Sequence, residues 1–196
     1  MVLVLAGAGG GAPGNRFVPD EKARGGTPPR EGVFAAEGAG CSIELALLDD
    51  PARRAFLKDA AGVTRDPFAP VPGFPGGFLV FRVRIANRGS GDLVFQPQGA
   101  RLEFGKRDTR SPLEWPDVVA AYGTLGSEPP PEYDAARPAI FDGEVVLPPG
   151  AEAAGLLPFR RLPEGTKRFR AFVGATAGSG EAVTIEAAYR LAGGGS

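Results

Sequence analysis

The longest regular pattern of apolar and polar positions in the chain lies in residues 77–97, "GFLVFRVRIANRGSGDLVFQP". Apolar side chains take every second position, at Leu79, Phe81, Val83 and Ile85. Arg82 and Arg84 fall between them. Because side chains alternate between the two faces of a strand, this period predicts a half-buried strand and excludes an amphipathic helix. The turn residues 87–92 then predict a hairpin connection to a return strand.

Alternation of the same kind recurs along most of the chain. It predicts further strands over residues 33–36, 41–48, 93–95, 100–106, 140–147, 153–162, 167–174 and 182–191. In the last of these, the inward row is Val183, Ile185, Ala187 and Tyr189. Pro158 predicts an edge or bulged position in its strand, because proline donates no hydrogen bond to a sheet ladder. Seven or eight short strands separated by turn residues predict an all-β fold, an antiparallel immunoglobulin-like β-sandwich.

Two short helices are predicted in the connections between strands. In "DDPARRAFLKDAAG", Asp50 fits an N-cap and Gly62 fits the exit of a helix. In "SPLEWPDVVAAYG", Ser111 and Glu114 fit a capping box. We therefore expect helices to interrupt the strands without changing the all-β class.

The distribution of glycine, proline and charge divides the chain into segments. Residues 1–32 lack apolar periodicity and predict a flexible leader. Their start, "MVLVLAGAGGGA", is either the remnant of a signal peptide or simply part of that leader. Residues 33–191 are expected to form the β-sandwich domain, with a loop and helix insertion at 111–139. Residues 192–196 predict a flexible tail.

The absence of histidine restricts the possible chemistry most strongly. Histidine is the commonest general base and metal ligand in proteins. The single cysteine, Cys41, opens a predicted strand and has no histidine to activate it, so we interpret it as an inert thiol that is buried or half-buried. One cysteine can form neither an internal disulfide nor a cysteine-based zinc site. We expect no catalytic residue, no cofactor and no metal site, and therefore no enzyme.

Charge and hydropathy argue against nucleic-acid binding and against a transmembrane segment. The net charge of −1 over 196 residues gives no field that would attract nucleic acid. No run of 18 apolar residues is present, so no transmembrane segment is expected.

Two groups of side chains are candidates for ligand binding. The first is a set of arginines in or beside predicted strands: Arg82, Arg84, Arg101, Arg160, Arg161, Arg168, Arg170 and Arg190. They form either cross-strand charge pairs on a solvated sheet face or a basic face for an anionic polysaccharide or lipid headgroup. The second group is aromatic and lies in the insertion.

The aromatic candidates are Trp115, Tyr122 and Tyr133. Exposed aromatic side chains on loops are frequent recognition sites, so we expect these three to contact a ligand. The alternative is that Trp115 closes one end of the sandwich. The predicted ligand-binding residues are therefore Trp115, Tyr122, Tyr133, Arg82 and Arg84.

Two segments carry a family resemblance. Residues 78–108 contain an apolar strand that ends in Asn and a small turn, followed by a Leu-x-Phe element. Residues 145–165 contain a Pro-Gly turn, then a strand with Gly155 and an inward Phe159. This pattern resembles a family of bacterial extracytoplasmic domains with an immunoglobulin-like (telokin-like) fold. The resemblance implies a secreted or lipid-anchored domain and provides no catalytic residues, although this chain lacks a convincing lipid-attachment cysteine.

These observations give one leading functional hypothesis and two alternatives. The leading one is a non-enzymatic protein, exported or in the cell envelope, that binds a protein or an envelope polysaccharide or has a structural role. One alternative is a glycan hydrolase, which needs two carboxyl groups roughly 5–10 Å apart. The other is an accessory subunit that pairs with a partner through a free sheet edge.

Overall fold

The structure, a computed structural model, describes residues 17–23, 27, 29–69, 77–123 and 131–192. Its strands are β1 (Phe17–Pro19), β2 (Pro29–Arg30), β3 (Val33–Gly38), β4 (Cys41–Leu47), β5 (Phe78–Asn87), β6 (Leu93–Phe95), β7 (Arg101–Phe104), β8 (Asp108–Arg110), β9 (Val145–Leu147), β10 (Glu152–Arg160), β11 (Arg168–Ala177) and β12 (Ala182–Leu191). Its helices are α1 (Asp50–Ala61) and α2 (Trp115–Gly123), with 3₁₀ helices η1 (Pro97–Gly99) and η2 (Pro131–Ala139). Residues 1–16 of the predicted leader and 193–196 of the predicted tail lie outside the described residues.

The described strands form two antiparallel sheets that pack face to face. One sheet has the order β10-β5-β4-β3-β2. The other follows the path β1-β12-β11-β6-β9, with β7 pairing both β11 and β8. Apolar side chains from both sheets meet in one main core between them. The predicted β-sandwich is confirmed at this level of detail.

The main core contains the inward rows that the alternation predicted. Val83 and Ile85 of β5 and Ile185 of β12 are fully buried. At the centre, the ring of Phe81 contacts those of Phe159 and Tyr189 edge to face, with centroids 5.6 and 5.7 Å apart. Edge-to-face pairs of this kind add to the free energy gained from burial alone. The period-two interpretation of β5 and β12 is confirmed.

The connection between β5 and β6 is not the predicted hairpin. β5 belongs to the five-stranded sheet, whereas β6 pairs with β9 and β11 in the other sheet. Residues 87–92 therefore form an arch that carries the chain across the sandwich. Local turn residues permit the chain to reverse, but they do not determine which strand it pairs with next.

The side chain of Asn87 holds this arch. Asn87 is 3% exposed, and its Nδ2 donates to the carbonyl oxygens of Gly91 and Leu147, at 2.8 Å each. Its Oδ1 accepts from the backbone N–H of Gly89 at 2.9 Å. The amide thus supplies two donors and an acceptor to three backbone groups at the crossover.

Replacing Asn87 by alanine should lower the free energy of unfolding by about 2–3 kcal/mol, since buried backbone groups would lose their hydrogen-bond partners. Urea denaturation followed by far-ultraviolet circular dichroism measures the change. Ser90→Ala in the same arch is the control, because Ser90 is exposed and its replacement should change stability by less than about 0.5 kcal/mol. Equal effects of the two substitutions would contradict the role assigned to Asn87.

A second apolar core lies on the outer face of the five-stranded sheet. Val80 of β5 and Leu156 of β10 are 1% and 0% exposed, although they point away from the main core. They pack with Leu57 of α1, Val118 of α2 and Ala136 of η2. The predicted insertion and α1 therefore form a third layer, which covers this sheet face from water.

The helix boundaries differ slightly from the predicted ones. Asp49, not Asp50, caps α1 and accepts from the backbone N–H of Ala52 at 3.0 Å. Gly62 is the predicted exit, with φ at 67°. α2 begins at Trp115, four residues after Ser111, and the Asp117 carboxylate accepts from the N–H of Glu114 at 3.2 Å. Both helices exist where the sequence placed them.

Part of the predicted leader belongs to the fold. β1 pairs with the end of β12, and Phe17 is 8% exposed. The Phe17 ring packs edge to face on Phe169 of β11, with centroids 4.9 Å apart. β2, also inside residues 1–32, pairs with β3. The prediction of a flexible leader up to residue 32 is wrong for these two strands, because strands of two or three residues show no periodicity.

The outer edge of β10 is covered. β10 lies at the edge of its sheet, as Pro158 predicted. The carbonyl oxygens of Leu156 and Pro158 accept from the N–H groups of Phe141 and Leu113, at 3.0 and 2.7 Å. Pro158 itself presents no N–H. The longest edge strand among the described residues is thus poorly suited to pairing with another chain.

Candidate functional site

A cleft of about 820 Å³ lies beside the seven-stranded sheet. One wall is the 20–23 turn, which follows β1. The opposite wall is the β7–β8 hairpin, residues 101–110. Strands β12 and β11 lie between the walls and form the floor. A volume of this size is typical of ligand sites in proteins.

Five cations among the described residues line this cleft, and we call it the basic cleft. Arg168 and Arg170 are already ion-paired, with Asp20 at 3.6 Å and with Glu186 at 2.8 Å. The other three are Lys22, Lys106 and Arg107. These three side chains are exposed and have no ion pair within the described residues. The cleft therefore carries positive charge that its own carboxylates do not neutralise.

The turn of the β7–β8 hairpin places Lys106 and Arg107 on the rim. Gly105 has a φ of 63°, in the left-handed region that glycine adopts without strain. A Cβ atom at Gly105 would lie 2.7 Å from the Asp108 carboxylate oxygen Oδ2, so a larger residue would displace that side chain. The tight turn lets two cations follow one another directly at the mouth of the cleft.

Three carboxylates also line the basic cleft. Asp20 is 8% exposed, and its Oδ1 accepts from the backbone N–H of Lys22 at 3.3 Å. Glu103 accepts from Arg101 Nε at 2.8 Å. Asp108 is exposed and lies in the hairpin opposite Phe104. The site can thus contact anionic groups and hydrogen-bond donors at the same time.

The structure buries the aromatic residues that were predicted to contact a ligand. Trp115 and Tyr122 are only 5% and 6% exposed, and both belong to the second core. The Trp115 indole N–H donates to Asp134 at 3.3 Å, and the Tyr122 hydroxyl donates to the carbonyl of Pro67. Burial raises the pKa of Tyr122 above its ordinary value. The premise that these side chains are exposed is wrong, because the sheet face beneath them is apolar.

Tyr133, like Trp115 and Tyr122, packs on the second core. It is half-buried against the second core, and its ring centroid lies 5.4 Å from that of Tyr122. The structure thus brings Trp115, Tyr122 and Tyr133 together, as packing between the insertion and the sheet. Trp115 covers the outer face of the five-stranded sheet and not the end of the sandwich.

Arg82 and Arg84 lie outside the basic cleft, on β5. Arg84 is ion-paired with Glu152 at 2.6 Å, and Arg88 reaches the other oxygen of Glu152 at 2.8 Å. Hydrogen bonding to Arg84 holds the pKa of Glu152 below its ordinary value. Arg82 is half-buried between Ala46 and Leu156 on the neighbouring strands. For Arg84, the interpretation as a cross-strand charge pair is confirmed.

The described residues contain no group of three or more His, Cys, Asp or Glu side chains that could hold a metal ion. Cys41 is 2% exposed at the start of β4, and burial raises the pKa of its thiol. The buried position predicted for this cysteine is confirmed.

A second groove of about 410 Å³ crosses β6, β11 and β12 on the outer face of the seven-stranded sheet. The charged side chain that lines it is Arg101, whose guanidinium carbon lies 4.2 Å above the centre of the Phe172 ring. A cation already stacked on an aromatic ring and paired with Glu103 is less available to a ligand. The basic cleft is therefore the stronger candidate site.

Sequence reasoning identified only part of the basic cleft. Arg168 and Arg170 were among the candidate arginines, whereas Lys22, Lys106 and Arg107 were not. The local signal was the sequence Gly-Lys-Arg-Asp at 105–108, a glycine turn that carries two adjacent cations. No local signal connects it to Lys22, which lies more than eighty positions earlier.

Comparisons with known proteins provide no family for this chain. No family model and no curated protein matches it. Among solved structures, the chain is similar to the structural genomics target SoR45, with 12% identity, 80% of this chain and 89% of that chain covered, and a TM-score of 0.36. It is also similar to the putative ApaA protein from Bordetella pertussis, with 13% identity, coverage of 83% and 95%, and a TM-score of 0.34. Likenesses this distant transfer no function.

Proposed function

We propose that this protein is a non-enzymatic β-sandwich binding module whose basic cleft takes an anionic ligand. The observation that carries the proposal is the set Lys22, Lys106 and Arg107, three exposed cations without an ion pair within the described residues, around one cleft. An excess of one sign of charge in a cleft focuses the electrostatic potential and raises the local concentration of ligands of opposite charge. Arg168 and Arg170 contribute less, because Asp20 and Glu186 already neutralise them.

Two further expectations belong to this proposal. One is a location outside the cytoplasm, and the other is an immunoglobulin-like family. Both are supported by the resemblance of residues 78–108 and 145–165 to that family. Within the described residues, the structure contains no helix with the length and apolarity needed to cross a membrane.

The binding module is better supported than either alternative function. A glycan hydrolase needs two carboxyl groups free to transfer protons. In the basic cleft, Asp20 and Glu103 are each paired with an arginine. An accessory subunit that adds a strand to its partner needs a free sheet edge, and the edge of β10 is covered by Leu113 and Phe141.

Titration of the ¹⁵N-labelled full chain with inorganic phosphate at low salt tests the proposed function. We expect the amide resonances of residues 22 and 105–108 to shift in a saturable way, and the shifts to shrink as salt screens the attraction. The variant Lys106→Gln/Arg107→Gln should weaken phosphate binding several-fold.

The matched control is Arg30→Gln/Lys58→Gln, which removes the same amount of charge from β2 and α1 at two residues that do not line the basic cleft. Its binding should equal that of the natural chain. Equal weakening by both variants, or shifts spread over the whole surface, would mean that only net charge matters and would refute a site in the cleft.

A further inference from the structure

The arrangement of charge in the basic cleft identifies a class of ligand. We infer that the cleft binds an extended polyanion that also carries hydroxyl groups, which is the chemistry of an acidic polysaccharide. This inference rests on the proposed function, because it names the ligand of the same cleft.

The first argument is the separation of the cations. Lys22 lies on the wall that follows β1, and Lys106 and Arg107 lie on the wall formed by the β7–β8 hairpin. In the sheet, β12 and β11 separate β1 from β7. Three steps between neighbouring strands correspond to about 14 Å. A compact anion such as phosphate can contact one wall, whereas a chain with repeated negative groups can contact both walls at once.

The second argument is the presence of acceptors between and beside these cations. Asp20, Glu103 and Asp108 line the same cleft, together with the hydroxyl of Thr109. A carboxylate has about four lone-pair sites, so Glu103, which accepts from Arg101, and the exposed Asp108 keep capacity to accept hydrogen bonds from ligand hydroxyls. The same carboxylates would repel a ligand that has only negative charge. A sugar acid matches both the cations and the carboxylates of the cleft, because it carries its negative charge and its hydroxyls on different atoms.

The third argument distinguishes a polysaccharide from a lipid surface. Proteins that lie on membranes combine basic side chains with apolar side chains that enter the lipid. Among the described residues, the large apolar side chain that is exposed is Val146, at 50%. It lies on β9, at the end of the sheet path opposite to β1. The basic cleft is concave and has no apolar side chain of this kind on its rim, so it fits a strand of sugars better than a membrane.

Isothermal titration of the full chain with polygalacturonate, monomeric galacturonate, neutral dextran and inorganic phosphate tests the inference. We expect polygalacturonate, at equal concentration of uronate groups, to bind at least about tenfold more tightly than the monomer, because contacts to the second wall become intramolecular. Dextran should not bind measurably. Vesicles of phosphatidylcholine with phosphatidylglycerol serve as the lipid probe and should bind more weakly than polygalacturonate.

Variants of single walls give the sharper test. Lys22→Gln on one wall and Lys106→Gln/Arg107→Gln on the other should each lower the affinity for polygalacturonate about tenfold. Lys22→Gln should leave the phosphate-induced shifts at residues 105–108 unchanged. Arg30→Gln/Lys58→Gln should bind polygalacturonate like the natural chain.

The outcomes separate the two proposals. If phosphate shifts the cleft residues but polygalacturonate binds no more tightly than monomeric galacturonate, the inference fails and the proposed function stands. Tighter binding of the vesicles than of polygalacturonate would likewise overturn the inference in favour of a membrane surface. If neither phosphate nor polygalacturonate shifts the cleft residues, both proposals fail.

Discussion

Replacing Arg53 by methionine should lower the free energy of unfolding by about 3–5 kcal/mol, because it would leave the carboxylate of Asp66 buried without a counter-charge. Arg53 and Asp66 are 3% and 6% exposed. The Arg53 Nη2 atom lies 2.6 Å from Asp66 Oδ2, and Nε donates to the same oxygen at 2.8 Å. Few single substitutions in this protein should lower its free energy of unfolding by as much.

The pair matters because it joins α1 to the segment that follows it. Arg53 lies in α1 and also reaches Asp50 at 2.9 Å. Asp66 Oδ1 accepts from the backbone N–H of Phe68 at 2.9 Å, and the Phe68 ring packs in the second core. Breaking the pair therefore loosens one side of the helical layer that covers the five-stranded sheet.

Urea denaturation with two probes measures this effect. The fluorescence of Trp115, the single tryptophan, reports on the helical layer, and far-ultraviolet circular dichroism reports on the secondary structure of the whole fold. Arg54→Met is the control, since Arg54 is exposed on the same helix and donates only to the carbonyl of Asp50 at 3.3 Å. The Arg54→Met substitution should lower the free energy of unfolding by less than about 0.5 kcal/mol.

A second variant tests the stated cause. Arg53→Met/Asp66→Asn removes the buried charge but keeps an oxygen for the N–H of Phe68, so it should recover more than half of the lost stability. If Arg53→Met alone cost under about 1 kcal/mol, or the double variant recovered nothing, the buried charge would not be the cause.

Replacing Phe81 by alanine should also cost about 3–5 kcal/mol, through a cavity in the main core. Phe81 is fully buried, and its ring contacts Phe159, Phe169 and Tyr189 at centroid distances of 5.6, 6.3 and 5.7 Å. These neighbours come from both sheets, so the cavity would weaken the contact between them. Far-ultraviolet circular dichroism during urea denaturation measures the loss.

Phe172→Ala provides the matched control for Phe81→Ala. Phe172 is half-buried on the outward face of β11, with the Arg101 guanidinium over its ring. The same change of side chain at that position should cost about 1 kcal/mol, because water fills the space. Equal costs at Phe81 and Phe172 would show that the interface between the sheets does not depend on this aromatic cluster.

The sequence predicted the features that are local. The inward rows of β5 and β12 could be found because the period of two is a property of neighbouring residues. The edge position of β10 could be found because Pro158 lacks an N–H. Pairing partners could not be found in this way, and the arch at residues 87–92 is the clearest example. The partner of β6 is determined by the register of β9 and β11, which lie far away in sequence.

The burial of the insertion was missed although a signal was present. Val80 and Leu156 sit at outward positions of their strands, next to inward positions that are also apolar. A strand with both faces apolar predicts a sheet covered on both sides. The aromatic residues of the insertion, Trp115, Tyr122 and Tyr133, were instead assigned to a ligand. The basic cleft could not have been predicted, because its two walls meet only through the pairing of β1, β12, β11 and β7.

The contacts that Leu113 and Phe141 make with β10 bear on how this chain could be engineered. Segment 111–139 looks in sequence like a variable excursion that a designer could shorten to a tight turn or exchange for a tag. Shortening it would remove the contact of Leu113 with the edge of β10 and the side chains of α2 and η2 that cover Val80 and Leu156. The strand edge and apolar face opened in this way are the starting surface for fibril growth by strand addition. Peptide grafts and truncations therefore belong at the turn between β11 and β12, residues 178–181, which is exposed and lies outside the residues that line the basic cleft.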